Sequence, residues 1–170
     1  MFNLAWAQVR KGNIRDGIAD MEHVFELDRK LGADVLAPLS LAQLAEAYGL
    51  VGDLDRALAL VEQALEFAGK PGAGLYLADL YRLRAQLTLK RWPADRSRSI
   101  QDLERALTVA RERSMMVVEL WAAIELAPLL AEVGQQPRAR EVLTRVCAGL
   151  AEGMDLPDIA HTRNLMAELA

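Results

Sequence analysis

Two histidines, His23 and His161, and one cysteine, Cys147, are the side chains of this sequence best suited to proton transfer, metal binding or nucleophilic attack near neutral pH. Neither histidine belongs to a His-Glu-x-x-His pair, and neither stands at a ligand spacing from Cys147. Cys147, between Val146 and Ala148, has no evident activating base and reads as a small buried hydrophobe. The stretch Gly69-Lys70-Pro71-Gly72-Ala73-Gly74 has the glycines of a phosphate cradle. Leu75 follows, however, where such a loop needs Lys and then Ser or Thr, and no strand pattern precedes it, so the stretch reads as a connector. Asp16, Asp20, Glu22, Glu26 and Asp28 crowd one segment; a hydrolytic carboxylate pair would need a second element converging on them, and a solvated helix face explains them instead. No catalytic residue, metal site or cofactor is expected, and the chain reads as a non-enzyme.

Charge offers a different chemistry. Arg82, Arg84, Lys90, Arg91, Arg96 and Arg98 fall within residues 82–98, opposed inside that span only by Asp95, and Trp92 adds a stacking surface. A nucleic-acid-associated adaptor is therefore the alternative reading. Against it stands the whole-chain balance of 20 Lys+Arg to 24 Asp+Glu, a net charge of -4. A solvated loop with Trp92 folded back on its helices is the better account.

The elements that position these groups are helical. Leu (29) and Ala (28) make up a third of the 170 residues, while Val, Ile and Thr together number 20. Leu41, Leu44, Ala45, Tyr48 and Val51 recur at spacings of three and four, and Leu54, Ala57, Leu58, Val61, Ala64 and Leu65 resume the pattern after a break. Gly52 supplies the positive φ that ends one helix and Asp53 the side-chain oxygen that caps the next, so the unit is a helical hairpin. Met115 and Met116 are expected to pack. The longest uncharged run, residues 35–45, is 11 residues long, too short to span a membrane, and residues 1–10 lack the pattern of a signal peptide. With one cysteine, a reducing cytoplasm is the expected location.

The hairpin repeats. Ala5, Ala45, Ala85 and Ala127 are 40, 40 and 42 residues apart in matching contexts, and the turn recurs as Gly12-Asn13, Gly52-Asp53 and Gly134-Gln135, with a longer loop at 91–95. Small residues, Gly17, Ala57, Ser99 and Ala139, recur where second helices press on first ones, followed by Met21, Val61, Leu103 and Leu143. Four hairpins, near 1–32, 34–70, 74–113 and 115–152, and a capping helix at 155–170 opened by Asp155, Pro157 and Asp158, form one domain. Leu44-Ala45, Tyr48, Gly52, Ala57, Val61 and Ala64 resemble the signature of the tetratricopeptide repeat family, in a version with 40 residues per unit instead of the usual ~34. The resemblance implies an all-α, right-handed superhelix of antiparallel hairpins that acts as a scaffold. Residues 74–85 and 152–158 also resemble the C-terminal repeat region of large bacterial proteins joining a nucleotide cyclase or DNA-binding module to an ATPase, which implies a regulatory or signalling fragment of such a protein.

Stacked hairpins curve, with the first helices along a concave wall. The helical register puts Phe2, Asn3, Trp6 and Arg10 there from the first repeat, Gln43 and Glu46 from the second, Asp79, Arg82, Gln86 and Lys90 from the third, and Trp121 and Glu125 from the fourth, where Pro128 threatens a kink. Trp6, Arg82 and Trp121 are the preferred anchors for a protein or peptide partner. The asparagine and basic set that clamps a chaperone's terminal carboxylate is incomplete, since Asn3 matches in type only. An opening helix that starts at Met1 is expected to leave an apolar edge around Phe2 and Trp6, covered by an upstream domain, another repeat or a second copy of the chain.

Overall fold

The computed structural model describes residues 1–32, 34–69, 74–149 and 157–168, and among them the regular structure is helical, with no strand. The chain divides into two compact units, Met1–Arg91 and Trp92–Ala170. The helices expected for the third hairpin therefore fall one in each unit.

The first unit holds α1 (Phe2–Arg10), α2 (Ile14–Lys30), α3 (Ala37–Val51), α4 (Leu54–Ala68) and α5 (Leu77–Arg91), with single 3-10 turns leading into α3 and α5. Gly12 and Gly52 turn the chain with φ of +96° and +85°, the left-handed region that costs glycine no steric penalty. Past Gly52, Asp53 accepts a hydrogen bond from the Arg56 amide at 3.1 Å, capping α4 as its sequence position demands. Each helix buries a stripe of apolar residues: Ala5 and Val9 from α1, Met21 from α2, Leu41, Leu44 and Ala45 from α3, Val61 and Ala64 from α4, and Leu80 and Leu87 from α5. Burying each of the larger side chains contributes roughly 1.5–3 kcal/mol.

Close approach depends on small residues. Gly17 and Ala57 are buried at the points where second helices cross first ones. First helices also meet one another, α1 on α3 and α3 on α5. At the second junction a Cβ on Gly49 would stand 2.8 Å from Leu87 Cδ2, so the Leu87 side chain would have to shift to admit it.

The second unit holds α6 (Arg96–Glu112), α7 (Met116–Glu132), α8 (Gln136–Gly149) and α9 (Pro157–Glu168). Asp95 caps α6, accepting from the Ser97 amide at 3.2 Å and from the Ser97 hydroxyl. Arg96 Nε meets Glu132 at 2.7 Å and Arg111 Nε meets Glu119 at 2.6 Å, pairing opposite ends of α6 and α7 and fixing them antiparallel. Gly134 turns α7 into α8 with φ of +78°. Leu120, Leu126 and Leu130 of α7 fill the core with Leu103, Leu107 and Leu143, and Pro128 lies within α7, which continues through it to Glu132. The small residues Ser99 and Ala139 are buried, as are Leu103 and Leu143 after them. Helix α9 packs on α7 and α8, and Cys147 Sγ lies 4.0 Å from Met166 Sδ.

Two expectations are corrected. Phe2 is a core residue and not part of an open edge, because α1 turns it inward with Ala5 and Val9; the apolar side chains that α1's end exposes are Met1 and Leu4. Met116 is 45% exposed, since the helix that begins there directs its packing face through Val118 and Leu120. The connector residues 70–73 and the segment 150–156, which includes Asp155, lie outside the described residues.

Candidate protein-interaction faces

Helices α1, α3 and α5 share one face of the first unit, and on each the residues left outside the core follow three- and four-residue spacing. Trp6 is half-buried against the core, and the Arg10 guanidinium lies 5.9 Å from its ring centroid. One turn apart on a helix brings such a pair within cation–π range. From α3 come Gln43, whose Oε1 is buried with no hydrogen-bond partner among the described residues, and Glu46, which is exposed. On α5, Arg82 Nη1 donates to Asp79 Oδ1 at 3.2 Å, while Gln86 and Lys90 are exposed further along.

Glu46 ties the three helices together electrically. Burial pushes its carboxyl above the usual range, Arg10 and Arg82 pull it down, and Asp79 pushes it up. A side chain that water reaches is still desolvated when neighbouring helices crowd it from both sides, which is the situation of a residue on the middle helix of a face. Eight predicted residues, Trp6, Arg10, Gln43, Glu46, Asp79, Arg82, Gln86 and Lys90, thus belong to the first unit. Trp121, 37% exposed, and Glu125, half-buried, lie one turn apart on α7 of the second unit, with exposed Val117 one turn before them. Sequence reasoning passed over Leu39 and Ala42, half-buried on α3; their spacing from Gln43 and Glu46 is the signal that marks them as members of the same face.

The chemistry available on this face is recognition: an aromatic plate, guanidinium donors, and carboxylate and amide acceptors. His23 and His161 are exposed, and among the described residues no group of three or more His, Cys, Asp or Glu could hold a metal ion. The acidic segment of α2 contributes Glu22 to a packing network, accepting from the Tyr48 hydroxyl at 2.7 Å with Arg56 at 3.6 Å. Among the described residues no helix is long and apolar enough to cross a membrane.

The basic stretch changes character in three dimensions. Arg82 meets Asp79, Arg84 meets Glu62 at 2.9 Å, Arg91 meets Asp55 at 2.9 Å, Arg96 meets Glu132, and Arg98 meets Asp95 at 3.5 Å. Trp92 is 39% exposed, with the Arg98 guanidinium 5.4 Å from its ring.

No protein-family model matches the chain. Over 82 residues it is 32% identical to an uncharacterized protein of Rhizobium meliloti (strain 1021), a match that covers 48% of this chain and only 8% of that protein. Two solved structures of nearly identical TPR-like repeats, named as a kinesin light chain of Podosopora anserina, one of them a single-substitution variant, are similar over 99% of this chain and 82% of theirs. Their sequence identity to it is 19%, with TM-scores of 0.75 and 0.74. The likeness shows the fold: the chain is an all-α array of TPR-like helical hairpins.

Proposed function

We propose that this chain is a non-catalytic interaction module that holds a peptide or protein segment against the α1, α3 and α5 face of its first unit. The observation carrying this reading is the set of recognition groups gathered around Glu46, with Arg10, Arg82 and Asp79 close enough to bias its ionisation and Trp6 beside them. The buried Gln43 Oε1 still needs a donor, which an extended peptide supplies in its backbone amides or side chains. Trp121 and Glu125 form a second contact point of the same kind on the second unit.

A regulatory or signalling scaffold in the cytoplasm fits one cysteine and a TPR-like fold. The long-repeat resemblance to bacterial cyclase and ATPase regulators belongs to the same reading, and a match amounting to 8% of a bacterial protein supports repeats of this kind set within much larger chains. Self-association would run through the exposed side chains of Met1 and Leu4. The nucleic-acid alternative is the weaker one, because five arginines of residues 82–98 are already matched to carboxylates. It requires salt-sensitive RNA or DNA binding that disappears on neutralising Arg91, Arg96 and Arg98.

A peptide-display library panned against the full chain tests the proposal. Selected peptides should lose affinity on the order of thirtyfold for each of Trp6→Ala and Arg82→Ala, the size of an interface hot spot. Trp121→Ala tests the second contact point in the same assay. Circular dichroism should show the helices intact, and peptides that bind the Trp6, Arg82 and Trp121 triple variant as well as the parent would reject the faces.

A further inference from the structure

The second unit carries a separate groove of about 340 Å³ between α6 and α8, floored by Leu126 of α7 with Leu107 and Val142 on its walls. Helix α6 runs antiparallel to α7, and α8 returns after a three-residue turn, so α6 and α8 run parallel. The Glu104–Arg138 contact at 2.5 Å sets their register and closes one end of the groove. Seven residues further on, two helical turns or about 10 Å, Arg111 and Arg145 reach opposite walls together.

Arg111 and Arg145 both line the groove, and two guanidinium groups there offer a carboxylate charge-assisted hydrogen bonds. Arg111 is held in place by its Nε bond to Glu119, and its buried Nη2 has no hydrogen-bond partner among the described residues. Arg145 is exposed and makes no hydrogen bond or ion pair among the described residues. Glu141, exposed one turn before Arg145, repels a second acidic group from the middle of the groove and confines a carboxylate to the arginine end. Glu119 and Glu141 offset the charges of Arg111 and Arg145, so recognition rests on guanidinium hydrogen bonding and not on a long-range field.

We propose that this groove binds a short acidic peptide segment, its Asp or Glu carboxylate between Arg111 and Arg145 and the adjacent aliphatic side chain on Leu107, Leu126 and Val142. The partner is distinct from the one held by α1, α3 and α5, and the two sites are separable by mutation.

The test is an NMR titration of the isotope-labelled full chain with the capped peptide Gly-Leu-Glu-Leu-Gly. Saturable shifts are expected at Leu107 and Val142, with affinity falling about tenfold for Arg145→Gln or for the peptide with Gln in place of Glu. Arg145 is exposed and makes no hydrogen bond or ion pair among the described residues, so its replacement leaves the fold intact. Four results would overturn the assignment: no shifts at millimolar peptide, equal binding by the Arg145→Gln chain, shifts confined to the Trp6 and Arg82 face, or inorganic phosphate moving the groove signals while the peptide leaves them unmoved.

Discussion

Gly17 lies so close to Val9 that a methyl group added to it would stand 2.6 Å from Val9 Cγ2 and 3.0 Å from the Ala5 carbonyl oxygen. That contact sets how near α2 can come to α1. Gly17→Ala inserts a better helix former, yet it should destabilise the first unit by roughly 1–3 kcal/mol because backbone must move to admit it. Urea denaturation reads the effect, and an unchanged or raised midpoint would show that the first hairpin is looser than described.

Glu46 gives the fold a pH dependence of definite sign. Its carboxyl is raised above the usual range by burial, so the folded state holds that proton more tightly than the unfolded one. Its stabilising contribution is complete below the ordinary carboxylate range and is lost as pH rises through the raised value. Glu46→Gln should therefore raise the melting temperature at neutral pH, with the advantage fading below the ordinary range. A variant less stable than the parent at neutral pH would mean that attraction to Arg10 and Arg82 outweighs desolvation.

Ser114 holds the left-handed region with φ of +56°, in the turn between α6 and α7, and is the one non-glycine residue among the described residues to do so. An L side chain there costs on the order of 1 kcal/mol. Ser114→Gly should recover about that much in equilibrium unfolding of the second unit, and a loss of stability would show that the hydroxyl matters more than the backbone.

Most of the helical pattern was legible because a helix buries residues at three- and four-residue intervals whatever surrounds it. Gly17, Ala57, Ser99 and Ala139 are readable as contact points for the same reason, and all four are buried. Pairings between distant helices were not. Arg84 with Glu62, Arg91 with Asp55 and Arg96 with Glu132 join residues 22 to 36 positions apart, so the run of basic residues looked bare when only its own neighbours were counted. Phe2 belongs to the core and not to an edge because the stripe it opens continues through Ala5 and Val9, which the position of the helix in the sequence does not reveal. The Arg111 and Arg145 groove depends on the register between two second helices, which no spacing within either helix encodes.

The position of the bound segment is the most direct test of the account. A photo-crosslinking amino acid placed at Gln86, exposed on α5, and in a parallel chain at Asp16, exposed on α2, would be irradiated with a display-selected peptide. Adducts are expected from position 86 that vanish with Trp6→Ala and Arg82→Ala, and none from position 16. Adducts from position 16 with none from position 86 would contradict that expectation.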